Sequence, residues 1–343
     1  MLIKTLTIEN FRGIRNVTAE FEGEGVYLVL GPNGSGKSSF IEAVRWIAEG
    51  FASASWHADL QRMGGFSLCV TRGQEQDAIR CAIGLDSRVD QIMPLGASLP
   101  QSLPRLDFRP TIVISASETQ FECVLRAMSI GDTSAEAVLT TYLNQDQAKP
   151  WLPNTSLRPF TRFAESLRQF NESGAHTGVE IPAPNGYDLL SFVATLQTGD
   201  PAAWERVISA VRSIVPETEV EQVLTPLRPR EQNADLFVVE RSVGRVPWRL
   251  APTGAKQAVF LAALMVACPD ESVIFIEEPE CNLHPLAQRR LMSFAIQEAK
   301  QHHKQIVFTS HSLEIVDSPG WKRAFVLARS GNQLVGHAAN DWC

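Results

Sequence analysis

A glycine-rich stretch at positions 31–39 carries the clearest chemical signal in this 343-residue sequence. Gly31-Pro-Asn-Gly-Ser-Gly-Lys-Ser-Ser follows the apolar run 26–30, and apolar residues at helical spacing come after it. Glycines let a loop turn its N–H groups toward phosphate oxygens, and the helix that follows adds the positive end of its dipole. The pattern predicts a nucleotide phosphate-binding loop made of Gly31, Pro32, Asn33, Gly34, Ser35, Gly36, Lys37, Ser38 and Ser39.

Two adjacent carboxylates, Glu277 and Glu278, end a second apolar run, "SVIFI". This run of β-branched and aromatic residues is typical of a strand that is buried on both faces. We expect the strand to lie beside the phosphate-loop strand, where Glu277 and Ser38 would hold Mg²⁺ and Glu278 would act as a general base near the γ-phosphate. Lys37 would then contact the β- and γ-phosphates. The alternative interpretation is a solvated strand end.

Three internal segments and the start of the chain resemble a known family. "GPNGSGKSS", "IEEPECNLHP" and "VFTSHSLEIVD", in this order after "MLIKTLTIENFRGIRNV", are similar to segments of ABC-type ATPases of the SMC, RecF and OLD-like group. The resemblance implies an α/β fold: a P-loop ABC-type ATPase head with a mixed-sheet lobe I and a helical lobe II. No segment sustains heptads and the insert between the motifs is short, so we expect no long coiled coil. The resemblance also implies ATP and Mg²⁺ as ligands and ATP hydrolysis as the activity. Many P-loop enzymes carry Asp where this chain has Glu277, but many members of this group carry Glu.

The resemblance assigns two further parts of the site. His311, in "TSHS" after an apolar strand, is similar to a switch histidine that contacts the γ-phosphate, so Glu278, Lys37 and His311 form the expected catalytic set. Thr253 and Gly254, in "PTGAK" before a long apolar segment, resemble the signature loop that reaches nucleotide across a dimer. The alternatives are a simple polar cap for the histidine and, for the signature-like loop, a cap on an ordinary buried helix.

The predicted site is assembled from both ends of the chain. We divide the chain into residues 1–115, the amino-terminal part of ATPase lobe I with the phosphate loop; 116–250, a mainly helical lobe II insert; and 251–343, the carboxy-terminal part with the signature-like loop, the acidic strand and the histidine. The end of the first segment has strand and turn patterns typical of an antiparallel extension of lobe I, and "LFVVERS" with "RVPWRL" predicts a hairpin. Gln61 and Gln120 are alternative candidates for the family's glutamine loop.

Composition limits the partners and the compartment. The formal net charge is −7 and no long block of Lys or Arg occurs, which weakens a DNA-binding hypothesis but leaves DNA as a candidate partner through a local basic patch. The first residues lack the pattern of a signal peptide, and the longest apolar run is too short to span a bilayer. Six cysteines are scattered without metal-ligand spacing. We therefore expect a cytoplasmic protein without membrane contact.

The leading functional hypothesis is an ATP-dependent dimer switch. ATP would close a homodimer or higher oligomer, and hydrolysis would open it. We expect the switch to act in prokaryotic anti-phage defence with a separate effector protein, a nuclease or toxin, because the residues after the histidine leave no room for a nuclease domain. The alternatives are a RecF-like DNA repair ATPase, a non-hydrolysing nucleotide-dependent scaffold, and a transporter subunit, which "EEPECNLHP" disfavours.

Overall fold

The computed structural model describes residues 2–53, 60–74, 77–86, 108–116, 121–129, 136–142, 161–170, 173–175, 178–225, 233–330 and 333–338. The strands are β1 Leu2–Phe11, β2 Ile14–Glu20, β3 Gly25–Leu30, β4 Ile79–Asp86, β5 Phe108–Ala116, β6 Phe121–Ser129, β7 Glu136–Tyr142, β8 Thr161–Ala164, β9 Ser173–Ala175, β10 Val220–Leu224, β11 Asn233–Asp235, β12 Phe237–Glu240, β13 Gly244–Pro247, β14 Val273–Glu277, β15 Gln305–Ser310, β16 Arg323–Ser330 and β17 Gln333–Ala338. The α-helices are α1 Lys37–Ser53, α2 Phe66–Cys69, α3 Leu189–Gly199, α4 Pro201–Ile214, α5 Thr253–Ala267, α6 Pro285–Gln301 and α7 Leu313–Val316. Among the helices in these ranges, none is both long and apolar enough to cross a bilayer.

A twelve-stranded sheet lies at the centre of the described residues, in the order β7-β6-β5-β4-β1-β2-β17-β16-β3-β15-β14-β8. Its two halves are built differently. Strands β16, β3, β15, β14 and β8 form a parallel series, whereas β2, β1, β4, β5, β6 and β7 pair antiparallel. The mixed sheet confirms the predicted fold class, and β4 and β5 confirm the predicted antiparallel extension.

The acidic strand β14 does not lie directly beside the phosphate-loop strand β3, so that prediction is wrong. Strand β15 lies between them and pairs in parallel with both, with Phe308 opposite Leu28 on one side and Ile276 on the other. Parallel pairing brings the carboxyl ends of the three strands to one edge of the sheet, where ligands of open α/β sheets bind. The phosphate loop, Glu277 and His311 therefore follow strands that end at the same edge.

The sheet separates two hydrophobic clusters, because successive strand residues face opposite sides. In β3, Val26 and Leu28 belong to one cluster, and Tyr27 and Val29 belong to the other. Helix α1 packs in the second cluster, whereas α3, α4, α5 and α6 pack in the first. Helix α5 is buried on nearly every side from residue 255 to 266, which explains its apolar sequence. The two clusters thus hold helices α1 and α5, which begin at the predicted site, in place.

Residues 116–250 contain more β structure than predicted. Strands β6 and β7 continue the large sheet, and β8 joins its other edge. The segment "FECVLRAMS" of β6 is rich in good helix formers, but pairing with β5 along its whole length selects a strand. The helical prediction holds for α3 and α4, and β12 and β13 form the predicted hairpin. The three-part division of the chain stays an interpretation.

Candidate nucleotide-binding and catalytic site

The phosphate loop turns between β3 and α1, and glycine is required where the turn is tightest. Gly31, Gly34 and Gly36 have φ angles of 155°, 76° and 90°, in the region that favours glycine. At Gly31 an added β-carbon would also lie 2.7 Å from the Leu327 carbonyl oxygen. Residues 32–34 are exposed, so the outer part of the loop is accessible to a ligand.

The polar groups of the loop have few partners other than the loop itself. Lys37 is buried, and its Nζ donates hydrogen bonds to the carbonyl oxygens of Gly31 at 2.7 Å and Pro32 at 3.1 Å. The Ser35 hydroxyl is buried and has no hydrogen-bond partner in the described part of the chain. A buried hydroxyl without a partner costs about 1–3 kcal/mol. Ser39 lies in the first turn of α1, where helix N–H groups lack intrahelical acceptors. A phosphate would satisfy these donors.

Ser38 and Glu277 meet at the edge of the sheet although 239 positions separate them. The Ser38 hydroxyl donates a hydrogen bond to Glu277 Oε2 at 3.0 Å. Both side chains supply oxygen, and this distance matches the spacing of about 2.9 Å between neighbouring oxygens around octahedral Mg²⁺. Burial raises the pKa of Glu277; the Ser38 hydrogen bond opposes the shift, and the Glu165 and Glu42 carboxylates add to it. The pair therefore fits a divalent cation, whose charge would offset the burial of the carboxylate.

Glu278 has a strained backbone directly after this pair. Its φ angle is 42°, in the left-handed region that costs a non-glycine residue about 1–3 kcal/mol. Its N–H donates to the Thr309 carbonyl oxygen at 2.8 Å, and its Oε2 accepts a weak hydrogen bond from Cys281 Sγ at 3.4 Å. These contacts keep the half-buried carboxylate at the end of β14, next to β15.

Glu280 links the acidic loop, which we define as residues 277–285, to the predicted switch histidine. Its Oε1 accepts hydrogen bonds from Ser310 Oγ at 2.8 Å and from the His311 N–H at 3.0 Å. The same oxygen lies 3.4 Å from His311 Nδ1, and the histidine side chain is 47% exposed. Glu280 Oε2 is buried without a hydrogen-bond partner among the described residues. His311 is therefore held at its backbone N–H, its Nδ1 lies near the same carboxylate, and nearly half of its side chain is accessible.

The signature-like residues Thr253 and Gly254 begin α5 beside the acidic loop. An added β-carbon on Gly254 would lie 3.2 Å from the Asn282 carbonyl oxygen, so the close approach of α5 to the loop favours glycine there. Thr253 is exposed, and α5 is 15 residues long. A nucleotide contact made by this first turn stays a prediction.

The segment after β8 contributes two residues that the sequence analysis does not predict. Because β8 pairs in parallel with β14, Glu165 lies at the same edge as Glu277; it also forms an ion pair with Arg45 at 2.8 Å. Arg168 Nη2 donates to the Glu277 carbonyl oxygen at 2.6 Å. Burial lowers the pKa of Arg168 to about 10, although Cys281 and the carboxylates of the acidic loop oppose this shift. A four-residue strand is too short to give a periodic sequence signal.

The two glutamine-loop candidates remain unassigned. Gln61 is exposed and helical, and its carbonyl oxygen accepts a hydrogen bond from the Gly64 N–H at 3.0 Å. Gln120 lies outside the described residues. The identity of the glutamine loop therefore stays open.

Two family models match separate parts of the chain. The model described as "AAA domain, putative AbiEii toxin, Type IV TA system" matches residues 201–317, and a model described as "AAA domain" matches residues 5–80. Together these regions contain the phosphate loop, the signature-like turn, the acidic loop and His311.

The chain is also similar to parts of two well-known proteins. The chain is 28% identical over 129 residues to the DNA replication and repair protein RecF of Chlorobium phaeovibrioides (strain DSM 265 / 1930), which is 34% of each chain. It is 38% identical over 47 residues to the chromosome partition protein Smc of Desulfitobacterium hafniense (strain Y51), 14% of this chain and 4% of that one. The matched regions thus span about a third or less of these relatives. The crystal structure of an Smc head bound to the C-winged helix domain of ScpA covers 100% of both chains, with a TM-score of 0.63 and 11% identity.

The sheet order, the phosphate loop and the acidic strand end define the fold of an ABC-type P-loop ATPase head. The two family matches and the partial similarity to RecF and Smc show that the chain is similar to the SMC/RecF-like group. The resemblance seen in the sequence motifs is thereby confirmed.

Proposed function

We propose that this chain binds Mg²⁺–ATP at the carboxyl edge of the parallel strands and hydrolyses it to ADP and phosphate. The observation that carries the proposal is the 3.0 Å hydrogen bond between Ser38 and Glu277, with Glu278 directly after it. Residues 31–39 would hold the phosphates, and Ser38 with Glu277 would hold Mg²⁺. When bound, the cation neutralises phosphate charge and orients the γ-phosphate.

Three side chains of the chain act on the reacting groups. Lys37 exchanges its bonds to the loop's own carbonyl oxygens for bonds to the β- and γ-phosphates. Glu278 accepts a proton from the attacking water as the water oxygen bonds to phosphorus and the bond to ADP breaks. His311, half exposed at the end of β15, donates a hydrogen bond to the γ-phosphate. Fixed groups at the ends of three strands thus act on the charge that develops in the transition state.

The proposal extends to an ATP-dependent homodimer or higher oligomer. Thr253 and Gly254 begin a helix beside the acidic loop, and exposed apolar side chains occur nearby in the chain: Leu250 before α5, Leu286 in the first turn of α6 and Leu313 in α7. Exposed apolar residues around a polar site are typical of a surface that a partner covers. In the dimer, the signature-like turn of one subunit would contact the ATP held by the other.

The biological role that we favour is prokaryotic anti-phage defence with a separate effector protein, a nuclease or toxin. The match of residues 201–317 to a family whose description names a toxin and a type IV toxin–antitoxin system supports this role. The 28% identity to RecF supports the alternative, a DNA repair ATPase with DNA as its partner. Binding to DNA at stated salt concentrations separates them, because repair requires DNA affinity that ATP modulates.

Phosphate release by the purified chain tests the enzymatic proposal. We expect turnover that requires Mg²⁺, and a Glu278→Gln variant whose kcat falls by about 10²- to 10⁴-fold, the usual contribution of a general base. Its ATP affinity should be retained. Glu205→Gln, which changes an exposed carboxylate on α4, is the matched control. Equal phosphate release by the Glu278 variant contradicts the assigned base, and ATP binding without turnover in the wild type favours a scaffold.

A further inference from the structure

The peptide bond between Glu277 and Glu278 is held from both sides. Its carbonyl oxygen accepts a hydrogen bond from Arg168 Nη2 at 2.6 Å, and its N–H donates to the Thr309 carbonyl oxygen at 2.8 Å. A peptide unit is planar, so two contacts at its opposite edges fix its orientation. The φ angle of Glu278, 42°, describes rotation about its N–Cα bond, which is the first rotatable bond after this plane. The direction of the Glu278 side chain therefore depends on where Arg168 and Thr309 hold the plane.

Arg168 makes few contacts that would explain its presence as a structural residue. Its Nε and Nη1 are buried and lack hydrogen-bond partners in the described part of the chain. Its guanidinium lies 5.8 Å from the centre of the Phe260 ring. A buried charged group with two unpaired donors costs free energy. A methionine of similar length would have no unpaired donors, yet it would lose the hydrogen bond to the acidic strand and the attraction to the acidic-loop carboxylates.

We propose that Arg168 is a positioning residue for ATP hydrolysis: it orients the Glu277–Glu278 peptide plane and, through that plane, aims the Glu278 carboxylate at the attacking water. The inference rests on the proposed function. On this inference Arg168 acts through the peptide plane and not on the reacting groups, so its loss should lower kcat without weakening ATP binding. Thr309 contributes through its main chain and stays in place in every side-chain variant.

The test compares kcat, KM and the Kd for Mg²⁺–ATP in the wild type and in Arg168→Met, with thermal unfolding as a check on folding. We expect kcat to fall by about 10- to 100-fold, because small misplacements of a catalytic group cost rates of this order. The Kd should be unchanged, and the Tm should change little, because losing the attraction to the acidic-loop carboxylates opposes the gain from removing two unpaired donors. Arg168→Lys, which retains one charged donor, should recover part of the lost kcat.

Arg206→Met serves as the matched control. Arg206 donates to Glu298 at 2.8 Å, so this variant also breaks an arginine contact with a buried carboxylate, but on α4 and α6 rather than at the acidic loop. It should lower the Tm and leave kcat unchanged.

Several outcomes overturn the inference, and they differ from failure of the proposed function. A folded Arg168→Met chain with wild-type kcat overturns it, provided that Glu278→Gln abolishes turnover. A loss of kcat that only tracks a loss of Tm, as judged against Arg206→Met, overturns it as well. If Arg168→Met does not fold, the same measurements are made on Arg168→Lys. In either variant, a raised Kd with a normal kcat contradicts the proposal. Absence of turnover in the wild type refutes the proposed function and this inference together.

Discussion

The phosphate loop and the acidic loop lie at the same edge of the sheet but are fixed by different means. Residues 31–39 are shaped by their own glycines and by hydrogen bonds within the loop. Residues 277–285 are placed by contacts with parts of the chain that are distant in sequence, namely Ser38, Arg168 and Thr309. The comparison teaches that a local motif suffices to identify a binding loop, whereas the position of a catalytic base depends on the assembled fold.

The largest effect on nucleotide binding should come from Lys37→Met, which removes charge from the phosphate loop without changing a glycine. ATP affinity should fall by about 100-fold, because hydrogen bonds from a charged donor contribute about 1.5–3 kcal/mol. Calorimetric titration with ATP measures the change. Lys322→Met, which removes an exposed lysine that donates to the Glu22 carbonyl oxygen, is the control. Equal affinities in the two variants would refute the predicted phosphate contact.

Gly31→Ala and Gly34→Ala test whether backbone geometry shapes the phosphate loop. The β-carbon at position 31 would meet the Leu327 carbonyl oxygen, whereas nothing lies within 4 Å of a β-carbon at position 34. Left-handed strain costs each variant about 1 kcal/mol, and the clash should add about 1–3 kcal/mol at position 31. Denaturant unfolding gives both free energies. The account of the loop is wrong if the two alanines destabilise the chain equally.

His284→Ala tests a local anchor at the carboxyl end of the acidic loop. His284 is the N-cap of α6, and its Nδ1 accepts a hydrogen bond from the Leu286 N–H at 3.4 Å. Loss of this cap should cost about 0.5–1 kcal/mol of unfolding free energy, with little change in kcat, because the catalytic end of the loop is held from elsewhere. Stopped assays of phosphate release check the second point. A large loss of kcat would show that the loop depends on its local cap.

The smallest effect concerns the stability of the nucleotide-free chain as a function of pH. The pKa of Glu277 is higher in the folded chain than in the unfolded chain. The contribution of Glu277 to stability is therefore fully present at a pH below its unfolded pKa. It is lost as the pH rises through the folded pKa and the buried carboxyl group ionises. Glu277→Gln keeps an oxygen acceptor for Ser38 and carries no charge. In the absence of nucleotide and divalent cations, the Glu277→Gln variant should be more stable than the wild type at neutral pH but no more stable than the wild type at acid pH. Thermal unfolding in EDTA between about pH 4.5 and 8 measures this; a less stable variant at pH 7 would contradict the assigned cause.

Much of the architecture is predictable from local sequence. The strand, glycine loop and helix around Lys37 follow in the expected order, and the apolar segment after Thr253 is the buried helix α5. Strand order is harder to predict, because the insertion of β15 between β3 and β14 depends on pairing across the sheet. Strand β6 shows the same limit, since its residues favour a helix and its neighbour selects a strand.

The residues that support the site are less predictable than those predicted to contact the nucleotide. Glu280 lies within the quoted "EEPECNLHP", but its contacts with Ser310 and His311 exist only because β14 and β15 are neighbours. Arg168 follows a four-residue strand and lacks any motif of its own. Sequence patterns report groups that share a fixed spacing, and these two contacts join segments with no such spacing.

The central claim is that Ser38 and Glu277, from opposite ends of the chain, form one Mg²⁺ site on ATP. The most direct test is the ATP affinity of the wild type, Ser38→Ala, Glu277→Gln and the double variant, each with Mg²⁺ and with EDTA. We predict that Mg²⁺ strengthens ATP binding in the wild type only, and that the double variant is no weaker than the single ones because both residues serve one ion. An equal gain from Mg²⁺ in all four proteins would contradict the claim.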